Sequence, residues 1–304
     1  MTITAIERQL MNAVHPIQLE RRKAVTSWND VAFVNRTMGP TLDITFDKLD
    51  EYIPVDRWRS GNPNLGQAEI VSDTGTIKAF FYGTEYKIPF WENWLRENAV
   101  QNPNASLFGG TLNAERYNMQ RMIRRLVAEI ERQIDTDFYS GNAKIEFPGM
   151  LALDASPDGM SADLTTADGR KEFVDTLVQI KSDGATALQS GRVVLAIDHA
   201  ALPWLTLPYQ TGLTDEASRN PTMDFVRSLV DRIVPVQNAA MSKSAFLHWE
   251  DPENVEVFDL TPQGVQILAG EPRRGEDQRV RIFQMWTAKE YRADTVQEIT
   301  DILP

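Results

Sequence analysis

Asp198-His199 is the pair in this chain best placed for acid–base chemistry, because it ends the apolar run Val193-Val194-Leu195-Ala196-Ile197. Strand ends in α/β domains often carry reactive groups. A base and its orienter must face one another, whereas adjacent residues on a strand point to opposite sides. A strand-to-helix junction capped by Asp198 is therefore the favoured reading, and an enzyme of unrecognised type using Asp198 and His199 is the alternative. Asp154-Ala155-Ser156-Pro157-Asp158-Gly159 starts like a calcium loop, with oxygen-bearing side chains at alternate positions and then Gly. The position that needs a bidentate Glu holds Thr165, which favours an Asp/Gly-rich surface turn. His248-Trp249-Glu250 reads as the edge of an amphipathic core element, and His15, before Pro16, suggests no chemistry.

What the chain lacks is as informative. With no cysteine there is no disulfide framework, thiolate metal site or Cys nucleophile, and with three histidines little imidazole chemistry remains. Neither G-x-x-x-x-G-K-[ST] nor G-x-G-x-x-G occurs, so no phosphate cradle is expected, and without G-x-S-x-G there is no nucleophile elbow. No enzyme activity, cofactor or metal is expected on these grounds. Lys plus Arg is 31 against 43 for Asp plus Glu, a net charge of −12, and such a surface repels nucleic-acid phosphate and anionic membranes. No apolar run approaches the roughly 18 residues of a spanning helix. Glu7 and Arg8 stand where a signal peptide would be apolar, so a soluble intracellular chain is expected. The 304 residues, 42% of them apolar and 24% charged, suit one large or two modest globular domains.

The elements that would position any site follow from spacing. Residues 1–53 hold too little apolar surface for a core and read as an arm that packs on its own body or on a neighbour. From Pro54 to Pro89 the pattern is β, with a turn signal in Val71-Ser72-Asp73-Thr74-Gly75-Thr76 and aromatic Phe80, Phe81 and Tyr82 beyond it. The approach Arg57-Trp58-Arg59-Ser60-Gly61 is polar and loop-like. A hairpin so built would project. Leu112, Met119, Met122, Ile123, Leu126, Val127, Ile130, Ile134 and Phe138 recur at helical spacing, predicting a helix over Leu112 to Tyr139. Its other face carries Arg116, Arg121, Arg124, Arg125, Glu129, Glu131 and Arg132, a solvated charged face with Arg125 and Glu129 at pairing distance. Residues 155–249 alternate helix and strand as a compact domain: a helix over Gly169 to Lys181, a strand over Arg192 to Ile197, a helix capped by Thr222 and a strand at Val234-Pro235-Val236. Asn254 to Leu260, Val265 to Leu268 and Arg279 to Ala288 are β-rich and expected to pair back near the long helix.

This order of arm, hairpin, long helix, compact domain and returning strands resembles the Hong Kong 97-type major capsid protein of tailed bacteriophages. The run Tyr139-Ser140-Gly141-Asn142-Ala143-Lys144-Ile145-Glu146-Phe147-Pro148-Gly149-Met150-Leu151 is similar to the passage after the spine helix in many such proteins and in encapsulins. The resemblance implies an α+β fold with an N-terminal arm (1–53), an extended hairpin loop (54–89), a peripheral domain with the spine helix (90–154 and 250–304) and an axial domain (155–249). It implies a subunit that assembles with copies of itself, as hexamers and pentamers, into the icosahedral shell of a virion. Assembly would take place in the host cytoplasm, with portal, scaffolding and cement proteins as further partners and genomic DNA enclosed without sequence-specific contact. An encapsulin-like compartment is the alternative with the same fold. Arg57, Trp58, Arg59, Phe80, Phe81 and Tyr82 are the candidate inter-subunit contacts. Some relatives join a hairpin Lys to a peripheral Asn; Lys78 and Lys87 could supply the first, but no Asn follows Asn254, so a covalent crosslink is not expected. The arm is too short to hold a scaffolding segment that is cut away, so scaffolding is expected from a separate protein or not at all.

Overall fold

A computed structural model describes residues 27–36, 43–52, 69–88, 109–143, 146–186, 191–208, 221–261, 265–269 and 277–304. In chain order the elements are α1 (Trp28–Val31), β1 (Phe33–Asn35), β2 (Asp43–Tyr52), β3 (Glu69–Lys78), β4 (Phe80–Ile88) and α2 (Gly109–Ser140). Then come β5 (Asp158–Gly159), α3 (Ala167–Thr186), β6 (Arg192–Asp198), α4 (Leu202–Leu205), α5 (Thr222–Leu229), β7 (Arg232–Val236) and β8 (Ala245–Glu250). Last are β9 (Val255–Asp259), β10 (Gln266–Ala269), β11 (Gln278–Glu290) and β12 (Val296–Thr300). Five strands form one sheet in the order β1-β9-β11-β10, with β4 also on β11; five form a second in the order β5-β12-β8-β6-β7. β2 and β3 form a sheet of their own.

The 32 residues of α2 make a rod of roughly 48 Å. Val127, Ile130, Ile134 and Phe138 are buried along one stripe, as their spacing requires, while Arg125, Glu129 and Arg132 are exposed. Glu129 takes Arg132 as its partner at 2.9 Å. Glu131, expected on the solvated face, is instead buried, because toward its C-terminal end the helix is covered on more than one side.

One core joins α2 to both sheets. From the first sheet come Tyr82, Val255, Val257, Ile282, Trp286 and Ala288; from the second come Val194, Ala196, Val234, Val236, Phe246 and Val296. Trp286 sits at its centre, 6.1 Å from Trp28, 6.0 Å from Tyr82 and 6.5 Å from Phe138 between ring centroids, all edge-on. The second sheet turns its other face, with Val193, Leu195, Ile197, Leu247 and Trp249, onto a second core with Phe173 and Leu177 of α3 and Val226 of α5. A strand covered on both faces has no polar side to show, which is why β6 reads as an unbroken apolar run.

Several boundaries differ from those expected. Val71 to Thr76 is not a turn: it runs straight through β3, whose partner is β2, in ten pairs from Asp43↔Lys78 to Tyr52↔Glu69. The two paired strands are thus Asp43–Tyr52 and Glu69–Lys78, in place of the hairpin expected over 54–89, and the first of them comes from the stretch read as arm. β4 leaves the hairpin and lies along β11 from Phe80↔Trp286 to Ile88↔Gln278. At the other end, β12 joins the second sheet beside β8, and Ile299 and Ile302 are buried in the second core, so the last strand belongs to the compact unit. Thr222 is the first helical residue of α5 rather than its cap; Pro221 precedes it, and the Thr222 hydroxyl donates to the Leu207 carbonyl at 2.6 Å.

Candidate assembly surface

Strand alternation gives the first sheet two faces of different character. On β4, Phe80 and Tyr82 turn toward the core, whereas Phe81, between them, is 47% exposed. Tyr82 is consumed within its own chain. Its hydroxyl donates to Asp137 of α2 at 2.6 Å, and burial, with that carboxylate, pushes its pKa up. Asp137 also accepts from Asn142 at 2.5 Å and Gln133 at 2.9 Å. Of the three candidate aromatic residues on β4, Phe81 is the one with an exposed face. Arg57, Trp58 and Arg59 lie outside the described residues.

Around Phe81 the outer face is organised. Its ring lies 5.6 Å from that of Phe283, which packs with Ala79 against a small cluster of Phe258, Leu260 and Met285. Farther along, Glu85 is held between Arg281 at 2.9 Å and Arg279 at 3.7 Å. The Arg281 hydrogen bond, with the nearby positive charges, holds the Glu85 carboxyl below its ordinary range. With Lys87 on the same side of β4, Arg279, Arg281 and Lys87 gather around Glu85, a locally basic spot on a strongly acidic chain. An aromatic anchor beside a charged rim is the composition of a protein contact.

The residues that could do chemistry take structural positions. Asp198 caps the turn after β6: its carboxylate accepts from Ala200 N at 2.9 Å and from Lys243 N at 2.9 Å, as the junction reading expects. His199 is exposed in the short 3₁₀ turn that follows. In the calcium-like stretch, Asp154 accepts from Ser156 N at 2.8 Å and Glu298 N at 2.7 Å, and Asp158 and Gly159 form β5. No group of three or more metal-ligating side chains gathers among the described residues. None of the described helices is long and apolar enough to cross a membrane.

His248 is fully buried in β8, opposite Val194 on one side and Val296 on the other. Neither ring nitrogen makes a well-formed hydrogen bond among the described residues, and burial drives the imidazole pKa down to about 4, opposed only in small part by a weak polar contact with the Thr295 main chain. Between that value and the unfolded value of about 6.5, the unfolded chain binds a proton here that the folded chain refuses, so stability is full above this window and falls as acid is added. The loss approaches about 3 kcal/mol near pH 4. We expect His248→Phe to flatten this limb in urea titrations run at pH 7, 5.5 and 4.5. A wild-type loss fully retained in the variant would assign the acid sensitivity to other groups.

No protein-family profile matches the chain, and no characterised protein matches it in sequence. Solved structures do match it in fold. The virus-like particle from Pyrococcus furiosus is similar at 10% identity over 95% of this chain and 98% of that chain, with a TM-score of 0.57. The capsid of Myoviridae phage XM1 is similar at 11% identity over 88% and 89%, with a TM-score of 0.56. A chain of Microbacterium phage Oxtober96 is similar at 13% identity over 91% of each, with a TM-score of 0.51. At such identities the likeness is one of fold. A long helix packed on two five-stranded sheets, a separate two-stranded sheet among the described residues, and structural alignment over 88% and 95% of the chain with these capsid and particle chains establish that the protein has the Hong Kong 97-type capsid fold.

Proposed function

We propose that the chain is the major capsid protein of a tailed phage, assembling with copies of itself as hexamers and pentamers into the icosahedral shell around the genome. The observation that carries this reading is the hairpin of β2 and β3: two ten-residue strands that pair with each other and with no other strand among the described residues, on a body with a capsid fold. An isolated two-stranded sheet is marginal in water and gains stability when another surface covers it. The face around Phe81, with Arg279 and Arg281, offers such a surface to the acidic strand β2 of a second copy, and Arg57, Trp58 and Arg59, between β2 and β3 in the sequence, are the contacts we assign to an acidic part of a neighbour. A net charge of −12 suits a wall around DNA, since an acidic lining leaves the genome unbound. Portal, scaffolding and cement proteins are the further partners this role calls for; assembly would occur in the host cytoplasm and the product reside in the virion.

Negative-stain microscopy of the full chain, expressed alone and with the other virion proteins, is the direct test. Closed shells of uniform size are expected. Folded monomers under both conditions would overturn the reading, and shells that copurify with a host enzyme would favour a cargo compartment. Phe81→Asp places a charge in the proposed contact and gives up the Phe81–Phe283 ring contact while leaving the two large cores untouched. It should raise the concentration for half-assembly at least about tenfold, equivalent to about 1.4 kcal/mol per contact, with the thermal midpoint lowered by only a few degrees.

A further inference from the structure

The two large sheets share no strand ladder among the described residues. We propose that residues 27–36 are a strap that sets the angle between them, latched on Asp135 of the spine. The proposal stands on contacts within one copy and holds whether or not the chain builds shells.

The strap reaches three bodies within ten residues. At its head, Asp135 Oδ1 accepts from Ser27 N at 2.9 Å, Trp28 N at 3.1 Å and Ser27 Oγ at 3.2 Å. The Ser27 hydroxyl also lies 2.7 Å from that of Tyr139, one helical turn along the spine. Ser27 makes no side-chain cap of its own for α1, so a carboxylate from another helix satisfies amides that α1 leaves open. The other oxygen of Asp135 accepts from Asn238 at 3.1 Å, just past the end of β7. One buried carboxylate thus holds the strap and the second sheet's side of the molecule together. Behind the latch, Trp28 and Val31 are fully buried in the shared core, with Trp28 edge-on to Trp286.

The tail of the strap belongs to the first sheet. β1 pairs parallel with β9 from Phe33↔Glu256 to Asn35↔Phe258, Asn35 donates to Glu256 at 2.8 Å, and Arg36 lies 3.9 Å from the buried Asp259. From the second sheet Arg232 of β7 reaches across. It donates to the Asp30 carbonyl at 2.6 Å, lies 3.8 Å from the Asp30 carboxylate, and donates to Glu250 at 3.2 Å. A segment tied to β9 at one end, to β7 in its middle and to the spine at its head cannot follow one sheet without pulling on the other. Releasing the latch removes a constraint on orientation while each sheet keeps its own ladders.

The absence of cysteine makes this measurable, since two introduced thiols are the only labelling sites. Lys87→Cys on β4 and Gln179→Cys on α3 place spin labels at exposed positions on the two units. Pulsed electron paramagnetic resonance of the full chain, diluted into unlabelled chain so that distances are read within one copy, should give a single narrow distribution. Asp135→Leu should broaden it or add a second population, while the amides of β8 and β11 stay slow to exchange with deuterium. Asp135→Asn, which keeps an acceptor for the Ser27 and Trp28 amides, should return the narrow distribution. Where Asp135→Leu folds, an unchanged distribution together with faster exchange over 27–36 overturns the proposal. Where it does not fold, Arg232→Gln decides in its place: broadening supports the strap and an unchanged distribution overturns it.

Discussion

Gly149→Ala is expected to destabilise the chain by about 3 to 5 kcal/mol, a large part of what a domain of this size has to lose. The spine ends at Ser140, and the chain reverses at once: Gly141 N donates to the Asp137 carbonyl at 2.9 Å, and Asn142 N donates to the Phe147 carbonyl at 2.9 Å. Gly141 has φ +81° and Gly149 φ +93°, so both lie in backbone regions that side chains avoid. They also touch. A Cβ on Gly149 would fall 2.2 Å from Gly141 N and 2.5 Å from Ser140 C, and one on Gly141 would fall 1.9 Å from the Pro148 carbonyl oxygen. Those neighbours are backbone, so no rotamer change relieves the clash, and separating the two strands of the turn would draw Phe147 away from its stacked partner Phe138 and Met150 from the core. Gly159→Ala is the control, because its Cβ would meet nothing nearer than Thr300 Oγ1 at 3.7 Å. Urea unfolding at constant m should show the midpoint collapse for Gly149→Ala and stay within about 0.5 kcal/mol for Gly159→Ala. Equal midpoints for the two variants would mean that the turn is not built as described.

Local periodicity carried a good deal of this fold. The spine, expected over Leu112 to Tyr139, runs over Gly109–Ser140, because a long apolar repeat at helical spacing has few other solutions. The strand Arg192–Asp198, its cap at Asp198 and the returning strands β9, β10 and β11 were legible for the same reason: each pattern is complete within a few residues. What stayed hidden depends on partners far away. β2, with the sequence Asp-Ile-Thr-Phe-Asp-Lys-Leu-Asp-Glu-Tyr, is too acidic to announce a strand, and β3 supplies the ladder that makes it one. Without that partner in view, Asp73-Thr74-Gly75 passes for a turn. Asp135 and Asp137 escaped notice because apolar periodicity does not count carboxylates. Asp135 is buried against Ser27 and takes a bond from the half-buried Asn238, 108 and 103 positions away, and nothing in the helix sequence refers to either. Among the candidate contacts, one strand's alternation separates Phe81 from Phe80 and Tyr82, yet which parity faces the core was set only by the register of β4 on β11.

Replacing residues 46–75 by Asn-Gly is expected to leave a folded, soluble subunit that forms no closed shells. Thr45 and Thr76 are direct partners in the β2–β3 ladder, so a two-residue turn closes the stump without moving Asp43 or Lys78. The excised strands hydrogen-bond to each other and sit outside both five-stranded sheets, so the ladders that enclose the two cores are unchanged. The variant should therefore keep a cooperative thermal transition within a few degrees of the parent. Assembly responds differently. If the hairpin is the arm by which each copy holds its neighbour, its loss is repeated at every subunit, and even about 3 kcal/mol per copy moves the half-assembly concentration by more than about a hundredfold. Light scattering and micrographs across that concentration range separate the outcomes. Shells of normal size from the shortened chain would show that the hairpin is not the intersubunit element and would place the contact elsewhere on the body. Failure to fold would show that residues 46–75 belong to a core after all, and the case for a projecting hairpin would fall with them.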